Sequence, residues 1–441
     1  MKWIVVWGIS FMILQKASTD WLASRNIFYN TRTKQISDDI NELIEPEYIE
    51  FHPEGLRNYL DYGYSVFGQT PLKDIKFLLA NSTIEKRGKE LIIEKRSDPF
   101  EKFIGIKSNV SDTLDLMKET INSWEKNTEN VIIPLSGGFY SRIIANMLNN
   151  RENVRAYTYG ISEKQKESME VVYAKKLCEL LKIKWEQIEL GDFFNYTDDW
   201  YKLYGVSTHA HGMYQMEFYD KIQRRRNKSY GSIISGIYGD LWAGGWKFEL
   251  IDSPDKVINL GITHGLCADS NFCKLEEVHD LRNDFFLENR EKLQEQNWRI
   301  VIAARMKIIL LSYLLRIPEY FGLNSWSPFL NFEIVCNMLN LDWKDKERRK
   351  WQVEYFKKNE ILIGEMGLKY DRKNVLDICA WRNAPLPELD VKLLEKIVEK
   401  DYILKINAQM KKYTLKNEKY FWAYTVLWPL QKLLRIKEYG E

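Results

Sequence analysis

The pattern of hydrophobic and polar positions changes near residue 110. Before it, short apolar runs at 3–14 and 91–94 and the segment 26–30 are separated by turn residues. Runs of this length between turn residues are typical of β-strands, and a single helix is predicted near 53–61. The sequence therefore predicts a mainly β segment at the start of the chain.

From residue 111 onward, helical and extended patterns alternate. Apolar residues such as Leu114, Met117 and Ile121 recur at helical spacing in the first of these segments. Strands that alternate with helices of ten or more residues predict βαβ units and a parallel sheet. The predicted elements are helix 112–126, strand 131–135, helix 141–149, strand 154–159, helix 163–181, strand 184–190, helix 211–225 and strand 230–235.

The pattern changes again beyond about residue 246, where the strand signal fades. The segments 286–316 and 391–436 are amphipathic and predict helices. We therefore predict three parts, a mainly β domain at 1–108, an α/β domain at 109–385 and a helical extension at 386–441.

Composition narrows the functional class. The net charge is +2, with 29% charged and 45% hydrophobic residues, which is typical of a globular protein and gives no signal for nucleic acid. The uncharged run at 3–14 is too short to span a bilayer. It could be a signal peptide, but Lys16 stands where a cleavage site needs small residues, so a buried strand pair is the favoured prediction.

The cysteines favour a reducing, cytoplasmic location. Five are scattered along the chain and form no disulfide framework. Cys267 and Cys273 could ligate a metal with His264 or His279, but their spacing fits no zinc pattern well.

The most specific motif follows the strand 131–135. The segment Ser136-Gly137-Gly138-Phe139-Tyr140-Ser141 joins this strand to an apolar helix. Adjacent glycines allow a tight turn and close approach of a ligand to the main chain. Amides at the start of the helix then favour an anion, so the sequence predicts a phosphate-binding loop.

Two further segments are expected beside this loop. Tyr159-Gly160 leaves the strand 154–159 and could pack on a flat ring. The stretch 235–246 again begins with Ser-Gly after a buried strand and contains Asp240. A carboxylate beside a phosphate cradle is best explained by Mg²⁺, which commonly takes one or two carboxylates plus phosphate oxygens.

Together these motifs resemble those of the asparagine synthetase family, whose synthetase domain is an N-type ATP pyrophosphatase. The similar segments follow the family's order over roughly residues 20 to 380. They are 59–64 and 70–75 (the linker between the family's domains), 136–141 (S-G-G-x-D-S), 167–177 (E-x-x-x-A-x-x-x-A, with Ala174 kept), 235–246 (S-G-x-G-x-D-x-x-x-G-G-Y) and 324–331 (E-x-R-x-P-F-L-D).

The resemblance implies an α/β fold of the adenine-nucleotide α-hydrolase type and an ATP-dependent, amide-forming ligase. In this family a substrate carboxylate attacks the α-phosphate of ATP, pyrophosphate leaves, and a nitrogen nucleophile then displaces AMP. ATP and Mg²⁺ are the implied cofactors, and a small carboxylate is the implied substrate. The implied site residues are Leu135, Tyr159 and Gly236 around adenosine, Ser136, Gly137, Gly138, Ser141 and Ser235 at the phosphates, Asp240 at the metal, and Lys373 at the developing phosphate charge.

The sequence departs from the family pattern at several positions. Tyr140 replaces the loop aspartate, Tyr238 replaces a glycine, and Asn331 replaces the aspartate that closes P-F-L-D. A phenol is neutral at pH 7 and cannot replace a carboxylate at a metal. Residue 2 is Lys2, where glutamine-dependent members carry the attacking cysteine. Residues 1–108 are therefore predicted to be a shortened, inactive glutaminase-like domain, so nitrogen would come from ammonia, a separate protein or an amine on the substrate.

Three functions remain open from the sequence. The first is an ATP-dependent amide-forming ligase of the asparagine synthetase type, for which a carboxylated sugar or another specialised metabolite is an alternative substrate to aspartate. The second is intramolecular amide closure, as in β-lactam synthetases or lasso-peptide cyclases. The third is a catalytically silent nucleotide-binding or partner protein with the same fold. No nucleic-acid or membrane partner is predicted.

Overall fold

A computed structural model describes residues 14–227, 229–263, 265–277 and 279–440. The predicted strand pair at 3–14 lies outside the described residues except for Leu14, and Lys2 and His264 also lie outside them. The strands are β1 (Lys16–Ser18), β2 (Phe28–Asn30), β3 (Ile36–Ser37), β4 (Ile75–Phe77), β5 (Ser82–Arg87), β6 (Glu90–Lys95), β7 (Val131–Pro134), β8 (Val154–Thr158), β9 (Lys184–Gln187), β10 (Gly231–Ile234) and β11 (Leu323–Trp326).

Helices dominate the rest of the described chain. They are α1 (Pro53–Tyr62), α2 (Val110–Lys126), α3 (Phe139–Met147), α4 (Met169–Leu181), α5 (Thr197–Tyr204), α6 (Met213–Arg225), α7 (Gly239–Ala243), α8 (Ile258–Gly261), α9 (Leu281–Asn289), α10 (Gln296–Met306), α11 (Ile308–Leu311), α12 (Tyr313–Tyr320), α13 (Phe332–Leu339), α14 (Trp343–Lys346), α15 (Lys350–Lys358), α16 (Leu376–Asn383), α17 (Val391–Leu394), α18 (Lys400–Met410) and α19 (Glu418–Tyr439).

A five-stranded parallel sheet forms the centre of the fold, in the order β11-β10-β7-β8-β9. The chain runs outward from β7 through β8 and β9, and then returns to place β10 on the other side of β7. The strand order therefore reverses between β7 and β10. In sheets of this kind ligands bind outside the carboxyl ends of the strands at such a switch point.

Helices bury both faces of this sheet, as its near-continuous apolar strands predict. Alternate side chains of one strand face opposite cores, since the strand period is two residues. Ile132 and Ile233 belong to one hydrophobic core, and Val131, Ile133 and Ile234 belong to the other. The predicted mixed α/β architecture with a parallel sheet is therefore confirmed.

Two small antiparallel sheets, β1-β5-β6 and β3-β2-β4, occupy the N-terminal part of the described chain. They agree with the predicted mainly β character but do not identify a glutaminase remnant. Residues of all three predicted domains, such as Tyr59, Ile233 and Leu427, share one hydrophobic core. The domain boundaries stay a prediction.

The expectation that no strand follows residue 246 is wrong, because β11 forms at Leu323–Trp326. Of its four residues only Leu323 is buried, and Asn324 is exposed. It lies at the edge of the sheet, where it pairs with β10 alone. Because backbone hydrogen bonds to β10 hold β11 in place and little of it is buried, its sequence lacks the apolar pattern from which a strand is predicted.

The predicted helix 163–181 begins later than expected. Residues Gln165–Glu167 form a 3₁₀ turn, and α4 starts at Met169. The backbone N–H of Met169 donates to the carbonyl of Asp371 (2.9 Å), so a distant segment fixes this boundary.

Asn331, one of the departures from the family pattern, begins α13. Its side-chain oxygen accepts a hydrogen bond from the backbone N–H of Ile334 (3.1 Å). Asparagine and aspartate cap helices about equally well. The departure at residue 331 therefore leaves the local structure unchanged.

Among the described residues, no helix combines the length and the apolar character needed to cross a bilayer.

The cap at residue 331 gives a stability prediction. We expect Asn331→Ala to lower the free energy of unfolding by about 1 kcal/mol, because the first turn of α13 loses its side-chain acceptor. Asn331→Asp should leave that free energy nearly unchanged, because a carboxylate accepts the same hydrogen bond. Urea unfolding of the three proteins checks this, and equal losses in both variants would contradict the capping role.

Candidate functional site

A cavity of about 430 Å³ opens at the carboxyl ends of β10, β7 and β8. It lies at the point where the strand order reverses, and all three predicted segments meet around it. Its walls are formed by Pro134, Leu135, Ser136, Gly138, Phe139, Tyr140, Ser141, Tyr157, Thr158, Tyr159, Ile161, Glu170, Gln215, Phe218, Tyr219, Ser235, Gly236, Ile237 and Leu314.

The loop between β7 and α3, residues 135–138, packs closely against α4. Gly137 has a φ of +65°, and a Cβ atom there would lie 2.5 Å from Cβ of Tyr173. The backbone N–H of Gly138 donates to Oγ of Ser136 (3.2 Å). No side chain caps α3, so its first-turn amides have no side-chain acceptor. Such amides suit an anion.

The loop between β10 and α7, residues 235–238, is in direct contact with α3. A Cβ atom on Gly236 would lie 2.8 Å from the backbone nitrogen of Ser141, and one on Gly239 would lie 2.5 Å from the ring of Tyr140. Tyr238, the second departure from the family pattern, keeps a left-handed backbone with a φ of +66°. The loop therefore has the conformation that favours glycine although it carries a tyrosine.

Two serine hydroxyls beside these loops have no hydrogen-bond partner. Oγ of Ser141 and Oγ of Ser235 are buried, and both residues line the cavity. Buried polar groups in native proteins are nearly always hydrogen-bonded. These two hydroxyls are consistent with a polar ligand in the cavity.

Tyr140 and Asp240 lie together at the start of α3. The ring of Tyr140 packs edge-on against Phe329, with centroids 5.3 Å apart. Its hydroxyl donates to Oδ1 of Asp240 (3.5 Å) and accepts from Nη1 of Arg349 (3.3 Å). Burial raises the pKa of the Tyr140 phenol far above neutrality. Tyr140 is therefore a neutral hydrogen-bonding group.

The surroundings of Asp240 do not fit a magnesium ion. Its Oδ1 accepts from Nη2 of Arg349 (2.6 Å), and its Oδ2 accepts from Nε1 of Trp246 (2.6 Å). Both carboxylate oxygens are thus engaged by donors, and a cation occupies the space beside them. Nowhere in the described chain do three or more histidine, cysteine, aspartate or glutamate side chains converge into a potential metal site.

Arg142, one turn into α3, places a buried positive charge behind the phosphate loop. Its guanidinium donates to the carbonyls of Gly137 (2.6 Å) and Ile361 (3.2 Å) and lies 4.4 Å from the ring of Phe356. None of the carboxylates in the described chain forms an ion pair with it. Burial lowers its pKa to about 10, so it remains charged at neutral pH.

Two further buried cations, Lys307 and Lys346, lie outside the cavity wall. Nζ of Lys307 lies 5.7 Å from the ring of Trp246, and Nζ of Lys346 donates to the carbonyl of Leu339 (2.8 Å). Burial lowers the pKa of each amine to about 8. Within the described residues neither amine is paired with a carboxylate, so each carries the free-energy cost of a buried charge.

The other end of the cavity is apolar and aromatic. Leu135 and Tyr159 follow β7 and β8 directly and line its wall. The ring of Tyr159 packs edge-on against Phe218 (5.1 Å), and its hydroxyl accepts from Nε2 of Gln215 (3.3 Å). This wall offers a flat apolar surface with a few polar groups, as a heterocycle requires.

Glu170 also lines this cavity, although the sequence motifs did not lead to its prediction as a site residue. It lies in the first turn of α4, its Oε2 is buried without a partner, and burial raises its pKa. The signal was present, because Glu170 stands four residues before Ala174, as the E-x-x-x-A pattern requires. The predicted segment instead started at Glu167, which is exposed.

Lys373 does not belong to the cavity wall. It is exposed, in a segment whose backbone runs beside the cavity: the N–H of Val375 donates to the carbonyl of Ile161 (2.9 Å). Its role at a phosphate stays a prediction. The residues predicted to bind the nucleotide line the cavity except Gly137, which packs directly behind it, and Asp240, predicted to hold the metal, is not part of the wall.

The cysteine and histidine residues considered for a metal have other surroundings. Cys273 is buried, and Nε2 of His279 pairs with Oδ2 of Asp284 (2.5 Å). His264 lies outside the described residues.

Comparison with known proteins yields little. No protein-family model matches the chain, and no match is found among curated proteins. Among solved structures, it is similar to an NH₃-dependent NAD synthetase from Campylobacter jejuni subsp. jejuni, at 16% identity over 46% of this chain and 95% of the other, with a TM-score of 0.25. A similarity this weak assigns neither a function nor site residues.

The packing of the phosphate loop against α4 predicts how a methyl group added at Gly137 would affect ligand binding. We expect Gly137→Ala to weaken binding of ATP about tenfold or more, because its Cβ would displace the loop from α4. Gly367→Ala is the matched control, since Gly367 also has a positive φ (+67°) but no atom within 4 Å of the added Cβ. Calorimetric titration with ATP compares the two, and equal affinities would contradict the role of the loop.

The buried amine of Lys307 predicts a dependence of stability on pH. Below pH 8 the native and unfolded states both hold the proton, and the native state carries the cost of burying the charge. Between pH 8 and pH 10.5, the ordinary pKa of lysine, the amine is deprotonated in the native state but still protonated in the unfolded state. The free energy of unfolding therefore rises with pH in this range. We expect Lys307→Met to be more stable than the parent at pH 7 by about 1–3 kcal/mol. Urea unfolding at pH 7 and pH 10 checks this, and a constant difference would contradict the assignment.

Proposed function

We propose that this protein is an ATP-dependent, amide-forming ligase of the asparagine synthetase type. The observation that carries the proposal is the cavity at the strand switch point, where two Ser-Gly loops meet and the hydroxyls of Ser141 and Ser235 are buried without a partner. The loops suit the phosphates of a nucleotide, and the wall formed by Leu135 and Tyr159 suits its adenosine.

The proposed reaction has two steps. A carboxylate oxygen of the substrate attacks the α-phosphorus of ATP, the bond to the bridging oxygen breaks, and pyrophosphate leaves. A nitrogen nucleophile then attacks the acyl carbon, loses a proton and displaces AMP. The amides of the loop 135–138 and of the first turn of α3 stabilise the departing pyrophosphate.

Glu170 is the carboxylate in the cavity wall suited to accept the proton that the nitrogen loses. Its raised pKa brings it closer to the working pH of a general base than an exposed glutamate. The first step needs no such base, because the attacking carboxylate is already ionised. Glu170 is therefore assigned to the second step.

A catalytically silent nucleotide-binding protein is the second candidate function. The observation in its favour is that Asp240 pairs with Arg349 while Tyr140 occupies the position of the pattern's aspartate. Binding would persist in such a protein without turnover. Intramolecular amide closure, the carboxylate substrate and the source of nitrogen stay predictions.

Isotope exchange separates the two functions. The purified protein is incubated with ATP, labelled pyrophosphate and a panel of carboxylic acids, with and without Mg²⁺. The ligase predicts transfer of label into ATP that depends on one class of acid. Binding of ATP by calorimetry with no exchange for any acid would instead establish the silent function.

A variant of Glu170 tests the division between the steps. We expect Glu170→Gln to retain acid-dependent exchange within about threefold but to lower the rate of amide formation about 100-fold or more, the usual size of a general-base effect. Glu167→Gln is the control, because Glu167 is an exposed glutamate of the neighbouring turn. Equal loss of exchange and amide formation in Glu170→Gln would place Glu170 in the first step instead.

A further inference from the structure

Two consecutive arginines stand in an unusual backbone conformation, and the second of them, Arg349, donates a hydrogen bond to Tyr140 in the cavity wall. Arg348 and Arg349 have φ values of +51° and +60°, in the left-handed region that non-glycine residues rarely adopt. They form the turn that begins α15. Strain of this kind persists where the surrounding structure enforces it, and it is concentrated at functional sites.

This turn directs the side chain of Arg349 onto the phosphate loop. Its guanidinium carbon lies 4.7 Å from the ring centroid of Phe139, the first residue of α3. Nη2 donates to Oδ1 of Asp240 (2.6 Å), and Nη1 donates to the hydroxyl of Tyr140 (3.3 Å). Arg348, in the same turn, is exposed. The strained backbone therefore positions one arginine and not its neighbour.

The guanidinium keeps donors for a further acceptor. It carries five N–H groups in a planar fork, and two of them make the hydrogen bonds described above. The side chain of Arg349 is 32% exposed. A planar fork with free donors suits phosphate oxygens, which arginine commonly binds through two parallel hydrogen bonds.

We propose that Arg349 takes the place of a divalent cation at this site and supplies the counter-charge for the polyphosphate of the bound nucleotide. The inference rests on the proposed nucleotide-binding function and specifies how its anion is held. Asp240 is then a positioning residue, because its carboxylate fixes the guanidinium.

The same arrangement gives Tyr140 a role that an aspartate would not fill. The phenol accepts from Arg349 and donates to Asp240, which links the two charged groups without adding a negative charge. A second carboxylate here would attract a metal ion and compete with phosphate for the guanidinium. The residue that departs from the metal-binding pattern is thus part of the arginine site.

Calorimetric titration with inorganic pyrophosphate and with ATP tests the proposal on the full chain. In EDTA the parent protein should bind both, and Mg²⁺ should change each affinity less than about threefold. Arg349→Gln should weaken both about 10- to 100-fold, the range expected for charge-assisted hydrogen bonds. The affinities of Arg349→Lys should lie between those of the parent and those of Arg349→Gln, because lysine keeps the positive charge but lacks the planar fork of donors.

Arg348→Gln is the matched control, and it should bind pyrophosphate and ATP as the parent does. Circular dichroism melts establish that each variant is folded. A folded Arg349→Gln variant that binds as the parent does, or a parent whose affinity rises tenfold or more with Mg²⁺, overturns the proposal.

Isotope exchange separates this inference from the proposed function. Metal-independent binding with no exchange upholds the arginine site and rejects the ligase. If acid-dependent exchange occurs but the nucleotide binds only when Mg²⁺ is present, the ligase is upheld and the arginine site is rejected. No binding of pyrophosphate or ATP by the parent rejects both.

Discussion

The close contact of the loop after β10 and the start of α7 with the first turn of α3 is the constraint on which the candidate site depends. Gly236 and Gly239 leave no room for a side chain against Ser141 and the ring of Tyr140. This contact exists because β7 and β10 are neighbours in the parallel sheet, so that the loops after them leave the same edge side by side. The contact fixes the ring of Tyr140, and Tyr140 in turn meets Asp240 and Arg349.

Arg142 places a buried positive charge directly behind the loop after β7. Arg142, Lys307 and Lys346 are buried without carboxylate partners in the described chain, and burial lowers the pKa of each. Burying an unpaired charge costs free energy, and proteins tolerate it where a ligand of opposite charge compensates. An anion held by the amides of the loop would compensate the charge of Arg142, which donates to the carbonyl of Gly137 in that loop, whereas Lys307 and Lys346 do not line the cavity.

The sequence predicted the parts of this site that are local along the chain. The strands β7, β8 and β10 have clear apolar patterns, and the loop 136–141 contains its own glycines, so the central sheet and one half of the cavity could be predicted. Tyr159 and the loop at Ser235 were also expected beside it, since carboxyl ends of parallel strands meet at one edge.

Long-range contacts explain what the sequence did not predict. Glu170 reaches the cavity because α4 starts at Met169, a boundary that a hydrogen bond to Asp371 fixes. Arg349 is separated from Asp240 by more than a hundred residues, and two left-handed arginines in one turn have no sequence signature. The edge strand β11 is held by pairing with β10, which an apolar pattern does not show.

The departures from the family's motifs at residues 140, 238 and 331 differ in their physical effect. Tyr238 has a left-handed backbone, the conformation that favours glycine, and Asn331 caps α13, a role that aspartate fills about equally well. Neither residue removes a charge from the neighbourhood of Asp240. Tyr140 alone changes the chemistry, because it exchanges a carboxylate for a neutral phenol beside Asp240. With Tyr140 in place of the aspartate, Asp240 is the carboxylate whose charge has to be balanced. The guanidinium of Arg349 can balance it in place of a metal ion. The retained loop geometry and the altered counter-charge are therefore compatible, and the loss of the aspartate is not by itself an argument against phosphate binding.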